Sequence, residues 1–285
     1  MSESQIPVGQ DLHLRYDATL PFGAKDHFFH FLHGYLIPGL SLGLDRACQR
    51  ISFEDCGPLM NPKIAEACLL AGLELAEPLP AHERTSSGIC LVPRWDNLLF
   101  RLDGSHQTQA EVSSFREMTE RVRLLLLKRA EEACRQRSTL TRWQDTEVLV
   151  LKRSPEHPYY APTGNARFPK YGNSRRDLLN SGQIAEYLVA AGHNAREADM
   201  GALPLWEQIM AFRNASAVIG ARGAEFAHLF WMKSGATALM FATPLKQENN
   251  ASRSLAEIFG IRFVAPPVSG SFFSIEPEKV LRHLR

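Results

Sequence analysis

The sequence has no apolar run long enough to cross a membrane. A membrane-spanning helix needs about 20 consecutive apolar residues, but even the cluster Leu124–Leu127 lies between Arg123 and Lys128. The first residues, MSESQIPVGQDLHLRYD, show no basic stretch followed by an apolar one, which argues against a secretory signal. We therefore expect a cytoplasmic protein without a transmembrane segment, and we leave a peripheral contact with a membrane open.

Neither an excess of charge nor closely spaced cysteines mark the chain. It has 32 Lys and Arg against 31 Asp and Glu, a formal net charge of +1, whereas a nucleic-acid-binding domain usually carries a marked positive patch or excess. Its five cysteines include no C-x-x-C pair, so neither a zinc site nor a disulfide framework is indicated. These absences argue against a nucleic-acid partner and favour reduced thiols in the core.

The composition that remains is typical of a folded protein. The 285 residues are 45% hydrophobic and 22% charged, close to globular averages, and this length fits one large domain or two modest ones. A long helical pattern over residues 111–137 and the polar stretch 137–145 indicate a connection between domains. We expect an N-terminal domain over residues 1–140 and a C-terminal domain over 141–285, with a C-terminal helix that is free to pack back on the first.

Strand-like and helix-like segments alternate in the second half. Strands are predicted at residues 147–151, 215–219 and 238–241, and helices at 177–191, 205–212 and 225–232. This alternation predicts βαβ units and a parallel sheet, and therefore an α/β fold. Ligands of such sheets bind beyond the carboxyl ends of the strands, where Arg153 and the turn at residues 220–224 would lie.

A turn of small residues follows the second of these strands and opens a helix. It contains Gly220, Arg222, Gly223, Ala224 and Glu225. Glycine lets a backbone approach a ligand closely, and a helix N-terminus offers N–H groups to an anion. The turn has neither the G-K-[ST] of a P-loop nor the G-x-G-x-x-G of a dinucleotide-binding fold, which argues against a nicotinamide-dependent dehydrogenase. Taken alone, it also fits an ordinary strand-to-helix turn.

Arginines surround the same predicted edge of the sheet. Arg153 ends the first strand, and Arg175 and Arg176 precede a helix with Asn180 in its first turn. A guanidinium fork binds phosphate oxygens in pairs, whereas a single arginine is more often a solvated surface residue. Their convergence on one edge favours a diphosphate site.

The first half has one cluster of residues that could carry chemistry, Asp26, His27, His30 and His33. His30 and His33 would share one face of a helix, although we expect the helical spacing to break at Pro38 and Gly39. Such histidines pack in cores, bind metals or transfer protons, and the residues alone leave these alternatives open. The ligand set is thin and its flanks are aromatic, so we expect no metal site.

The order and spacing of these segments resemble glycosyltransferase family 61, with this chain as a diverged, bacterial-type member. The family pattern runs Asn-x-x-x-His-Phe-Leu, strand-Ser-Arg, Ser-Arg-Arg-x-x-x-Asn, a Gln-containing helix, Val-x-Gly-x-His-Gly-Ala-Gly-Leu and Pro-Gly-Ala. The corresponding stretches here are Asp26–Leu32, Leu151–Arg153, Ser174–Asn180, Trp206–Gln208, Val218–Phe226 and Ser234–Ala236. Arg222 stands in place of the family's histidine, Glu225 in place of its second glycine, and Gly34 in place of the acidic residue that follows His-Phe-Leu.

The resemblance implies an inverting, metal-independent glycosyltransferase of GT-B architecture, in which two Rossmann-like domains face each other across a cleft. It implies a nucleotide-sugar donor, with a UDP-sugar favoured, and a glycan acceptor in surface polysaccharide synthesis, with no further cofactor. The residues that would bind the donor are Arg153, Arg175, Arg176, Asn180, Gly220, Arg222, Gly223, Ala224 and Glu225.

The resemblance also assigns to the first half the base that takes the acceptor's proton. His30 matches the family's histidine, and an unperturbed histidine, with a pKa of about 6.5, suits proton transfer. We favour His30 as the base with Asp26 orienting its imidazole over the reverse assignment, and a packing role for His30 is the alternative. The departures from the family pattern motivate a second hypothesis, a non-catalytic nucleotide-sugar-binding protein or a subunit of a glycan-synthesis assembly.

Overall fold

The computed structural model describes residues 11–19, 25, 27–48, 50–78, 89–99, 108–144, 146–160, 173, 175–243 and 251–284. These residues fall into two compact units. The first unit takes its residues from 1–98 and 109–129, and the second from 99–108 and 130–285. The domain boundary expected from the sequence, after residue 140, lies later in the chain than this division.

A four-stranded parallel sheet forms the centre of the first unit. Its strands are β1 (Leu12–Tyr16), β2 (Arg50–Ser52), β3 (Glu74–Leu75) and β4 (Ile89–Val92). The α-helices that begin in this unit are α1 (Phe28–Phe31), α2 (Ile37–Asp45), α3 (Asn61–Ala71) and α4 (Gln109–Gln136). The strand order is β3-β2-β1-β4, so the chain progresses to one side of β1 and then returns to its other side.

One helical stretch follows β1 and carries the histidine cluster. A π-helical turn over Leu32–Leu36 joins α1 to α2, so the break expected at Pro38 and Gly39 is wrong. Pro38 lies in the first turn of α2, where a missing N–H is tolerated. Gly39 is pressed against the sheet, because a Cβ there would come within 2.6 Å of Leu14 Cδ1. Burial against the sheet therefore holds this stretch helical against its local sequence preference.

The second unit contains a five-stranded parallel sheet with the order β10-β9-β8-β5-β7. The strands of the unit are β5 (Val148–Lys152), β6 (Asp177–Leu178), β7 (Ala195–Asp199), β8 (Ala217–Ala221), β9 (Thr237–Phe241), β10 (Arg262–Val264) and β11 (Phe272–Phe273). Its α-helices are α5 (Leu140–Gln144), α6 (Ser181–Ala190), α7 (Leu205–Asn214), α8 (Ala251–Phe259) and α9 (Pro277–Leu284). A 3₁₀-helix over Ala224–Trp231 connects β8 to β9.

Burial explains why these segments form a sheet. All residues of β8 and β9 are buried, as is β5 apart from its last residue, and parallel strands covered on both faces are apolar throughout in this way. The α/β fold with parallel sheets expected from the sequence is confirmed.

One helix of the second unit begins later than the sequence predicts, and another takes a position that the sequence leaves open. The helix expected from residue 177 begins at Ser181, because Asp177 and Leu178 form β6 and pair with β11 instead. The C-terminal helix α9, whose position the sequence leaves open, packs within this unit, where Val280 joins the core around Ile184.

Candidate functional site

The carboxyl ends of β5 and β8 lie side by side at a point where the strand order reverses. From β5 the chain moves outward to β7, and it then returns to place β8 on the other side of β5. In doubly wound sheets the crevice at such a switch point is where ligands bind. Arg153 follows β5, and Arg222 and Gly223 follow β8, so the fold places these residues at the expected binding position.

Arg153 connects the two strand ends. Its side chain is buried, its Nη1 donates to the carbonyl of Arg222 at 3.1 Å, and the same nitrogen lies 3.5 Å from Oε2 of Glu225. A Cβ on Gly223 would overlap both Arg153 Nη1 and Glu225 Oε2. Gly223 thus leaves room for these two side-chain ends, and its backbone angles are not special, because its φ of −163° is ordinary extended backbone.

Three other arginines, Arg153, Arg175 and Arg222, lie within electrostatic range of Arg176. Burial, followed by the charges of Arg175, Arg222 and Arg153, lowers the pKa of Arg176 to about 10. Burial and the charge of Arg175 also lower the pKa of Arg222. The part of this lowering that comes from neighbouring guanidinium charges indicates a positive local potential, beside the larger effect of burial. We call these four residues, Arg153, Arg175, Arg176 and Arg222, the arginine cluster.

Two carboxylates moderate this potential without cancelling it. The charge of Glu225 works to raise the pKa of Arg176. Burial, together with the charge of Glu225, raises the pKa of Asp177 despite its hydrogen bond from Leu178 and the charge of Arg153. Among the residues that the structure describes here, four arginines stand against these two carboxylates, and this excess of positive charge suits an anion of more than one charge.

Two residues that the sequence assigns to donor binding make contacts within the fold itself. The amide of Asn180 donates through Nδ2 to the carbonyl of Ile275 at 2.8 Å and accepts from the Ile275 N–H at 3.0 Å. Gly220 lies inside β8, where a Cβ would come within 3.0 Å of the Cβ of Leu151 on the neighbouring strand. Asn180 therefore fastens the C-terminal segment, and Gly220 allows β8 to pack. Ala224 begins the 3₁₀-helix beside the arginine cluster.

The first unit has a corresponding switch point between β1 and β4. Asp17 follows β1, and Arg94 and Asp96 follow β4. Asp96 lies in a short 3₁₀-helix, Trp95–Leu98, and its side chain is fully buried. The carboxyl edge of this sheet thus brings a buried carboxylate next to the helix that carries His30.

His30 and Asp96 form a short hydrogen bond, 2.6 Å from Nδ1 to Oδ2. Arg94 donates two parallel hydrogen bonds to the same carboxylate, from Nε to Oδ1 at 2.7 Å and from Nη2 to Oδ2 at 2.6 Å. Burial alone would raise the pKa of Asp96, but the hydrogen bonds and charges of Arg94 and His30 hold it below its ordinary value. Asp96 is therefore an anion that fixes the ring of His30 and favours the tautomer with the proton on Nδ1.

Gly34 makes this arrangement sterically feasible. A Cβ at this position would overlap Oδ1 of Asp96 and come within 2.8 Å of Nε of Arg94. In the family pattern an acidic residue stands where this chain has Gly34. Here the space beside the helix is filled by the carboxylate of Asp96, which arrives from the far end of β4.

His30 is among the candidates predicted from the sequence, but Asp96 and Arg94 are not. Asp26, expected to orient the imidazole, lies outside the described residues. In the structure, Nδ1 of His30 is hydrogen-bonded to Asp96. Asp96 is 66 positions from His30 in the chain, so no local spacing connects them. The available signal was positional, because Arg94 and Asp96 come shortly after the short apolar run that forms β4.

The other histidines of the cluster are packed among aromatic rings. The ring of His33 is buried, with its centroid 5.0 Å from that of Phe29 and 6.4 Å from that of Phe115. The ring of His27 lies 5.3 Å from that of His30. Within the ranges that the structure describes, no group of three or more His, Cys, Asp or Glu side chains is placed to hold a metal ion. In the same ranges, no helix combines the length and apolar character that crossing a bilayer demands.

Fold and site together define a class of protein: a Rossmann-like α/β protein with a positively charged cluster at one switch point and a histidine–carboxylate pair at another. The family model described as Glycosyltransferase 61 matches residues 28–239. The chain belongs to glycosyltransferase family 61 and is a glycosyltransferase. A comparison with curated proteins finds no match to the chain.

Proposed function

We propose that the protein transfers a sugar, with inversion and without a metal ion, from a nucleotide-sugar donor to a hydroxyl of a glycan acceptor. The observation that carries this proposal is the arginine cluster at the switch point between β5 and β8. Four guanidinium groups there supply the positive charge that a leaving nucleoside diphosphate needs, in place of the metal ion that other enzymes use. A UDP-sugar is the favoured donor, and surface polysaccharide synthesis in the cytoplasm is the proposed setting.

His30 is the proposed base. With its Nδ1 proton held by Asp96, the neutral imidazole has its lone pair on Nε2, which takes the proton of the acceptor hydroxyl. The acceptor oxygen attacks the anomeric carbon from the face opposite the leaving group, and the bond from that carbon to the phosphate oxygen breaks. The electron pair of that bond leaves with the nucleoside diphosphate, which the arginine cluster stabilises. The proposal requires the GT-B arrangement, in which the two Rossmann-like domains face each other across a cleft.

The second candidate function is nucleotide-sugar binding without transfer. It is favoured by Glu225, whose carboxylate occupies the arginine cluster beside Arg153 where the family pattern has a glycine. A release assay separates the two candidates: the free nucleotide (UDP, GDP or CMP) is measured with UDP-, GDP- and CMP-sugars in the absence of acceptor, and then with added glycan hydroxyls. A transferase turns over at least one donor, whereas a binding protein shifts its melting temperature with a donor but releases nothing.

The His30→Ala variant tests the base within the same assay. Turnover should fall by about 10²–10⁴-fold, the usual scale for loss of a general base, while the affinity for the donor stays unchanged. His33→Ala is the matched control for the loss of a buried ring from the same helical stretch. Near-normal turnover in His30→Ala would remove His30 from the mechanism.

A further inference from the structure

Arg94 is held more firmly than a simple counter-ion requires. Its side chain is 1% exposed and makes the two bonds to Asp96 described above. Its Nη1 also donates to the carbonyl of Asp17 at 3.1 Å, and its guanidinium carbon lies 4.6 Å from the centre of the Tyr16 ring. Contacts on several sides thus hold the guanidinium against the Asp96 carboxylate.

A buried aspartate with histidine as its sole partner would favour an extra proton on the pair. A fully buried carboxylate without a further counter-charge favours protonation of itself or of the nearby imidazole. Such an extra proton works against the function of the imidazole as a base. The bonds and the charge of Asp96 keep the pKa of Arg94 raised despite burial, so Arg94 supplies a positive charge at every accessible pH.

Counting charges shows what this does to His30. With a neutral imidazole, Arg94, Asp96 and His30 sum to zero, and with an imidazolium they sum to +1. Asp96 alone would favour a second proton on His30, because its negative charge stabilises the imidazolium. The positive charge of Arg94 offsets that stabilisation. The two side chains therefore act in opposite directions on the protonation of the same ring.

We propose that Arg94 is a positioning residue for the base: it keeps Asp96 ionised and aligned with Nδ1 of His30, and it offsets the negative charge that would favour a second proton on the ring. The significance of this arrangement for sugar transfer rests on the proposed function. The protonation of His30 itself does not, because it can be measured on the protein alone.

Other groups near the pair leave this assignment in place. On the same helical stretch, His27 approaches His30 and His33 lies among aromatic rings. From the end of β1, Tyr16 and Asp17 interact with Arg94. Bonds from Thr19 lower the pKa of Asp17, so Asp17 stays an anion near neutrality and its charge acts on wild-type and variant proteins alike.

The test is a histidine NMR titration of the full chain with ¹⁵N- and ¹³C-labelled histidine, in which His30→Gln identifies the signals of His30. In Arg94→Met, the pH at which the His30–Asp96 pair takes up a proton should rise by about one pH unit or more, the scale of a lost neighbouring charge. In Arg94→Lys, which keeps the charge but loses the fork, it should stay near the wild-type value. Arg123→Met, the removal of a buried arginine from α4, is the matched control and should change nothing.

A second pair of variants covers the case in which Arg94→Met does not fold. Asp96→Asn and the double variant Arg94→Met/Asp96→Asn contain no unpaired buried carboxylate. The double variant should protonate His30 at a pH about one unit higher than Asp96→Asn does, because only Arg94 differs between them. The proposal is overturned if His30 takes up its proton at the same pH in Arg94→Met as in the wild type. It is also overturned if the double variant and Asp96→Asn protonate His30 at the same pH.

A transferase assay then separates this inference from the proposed function. If the protein turns over a donor, the acid limb of kcat/KM against pH should move upward in Arg94→Met, and activity should recover at higher pH. A merely structural role would lower activity equally at every pH. If no donor is turned over, the proposed function fails while the NMR result still decides the role of Arg94.

Discussion

Replacing Arg176 by methionine should stabilise the ligand-free protein. Burial and the charges of Arg175, Arg222 and Arg153 lower the pKa of Arg176 to about 10. A cation whose pKa is lower in the folded than in the unfolded state opposes folding wherever it is charged in both states. The cost is complete below the folded value, fades as the pH rises towards the unfolded value, and therefore applies in full at neutral pH.

The size of the effect follows from the same lowered pKa. The fall from the ordinary arginine value to about 10 corresponds to about 3 kcal/mol at about 1.4 kcal/mol per pH unit. The side chain of Arg176 is partly exposed, and solvent screening reduces this figure to about 1–2 kcal/mol. Methionine keeps most of the apolar packing of the arginine stem. A gain of that size raises the melting temperature of a chain of this length by about 2–6 °C.

Thermal unfolding at neutral pH in chloride buffer measures the gain. Inorganic pyrophosphate is then added to the wild type and the variant, and it should stabilise the wild type far more, because the variant has lost one charge of the cluster. Arg213→Met, in the last turn of α7, is the control and should show neither effect. An Arg176→Met protein that melts lower than the wild type, or that gains as much from pyrophosphate, would refute the reasoning.

Three further substitutions test individual contacts. Arg153→Ala should weaken UDP binding in calorimetry by about 10- to 150-fold, the equivalent of about 1.5–3 kcal/mol for bonds to a charged group. Arg153→Lys should recover only part of that affinity. An Arg153→Ala protein that does not fold would show that Arg153 belongs to a structural ion pair instead. Asn180→Ala should lower the free energy of unfolding by about 1–3 kcal/mol in a urea titration with unchanged UDP affinity, whereas weakened UDP binding would return Asn180 to the donor site. Gly34→Ala should displace Asp96, costing about 1–3 kcal/mol of stability and lowering turnover, and normal turnover would count against the role of Asp96.

Local pattern was enough to predict the three central strands of the second unit, β5, β8 and β9. These strands are short apolar runs between helical patterns, and parallel strands buried on both faces leave that signature in the sequence. What the sequence could not supply was pairing over long distances. Asp177 and Leu178 look helical locally, and they form a strand because Phe272 and Phe273 lie beside them. Pro38 and Gly39 look like a break, and tertiary packing keeps them helical.

The candidate site likewise contains residues that local sequence could predict and residues that it could not. Arg153, Arg222 and Gly223 were predictable because each directly follows a strand, and strand ends converge in a parallel sheet. The bonds of Asn180 to Ile275 could not be predicted, because an amide beside two arginines gives no sign of them in the sequence. Asp96 was missed because a buried carboxylate far along the chain is connected to His30 by the topology of the sheet and by no spacing in the sequence.

Calorimetric titration of UDP into the wild type and into the double variant Arg153→Ala/Arg176→Met tests the central claim most directly. The arginine cluster is argued to hold the diphosphate of the donor, with each guanidinium contributing about 1.5–3 kcal/mol. UDP should therefore bind the wild type at least about 100-fold more tightly than the double variant. Equal affinities, or wild-type binding of UDP no tighter than that of inorganic phosphate, would contradict the account.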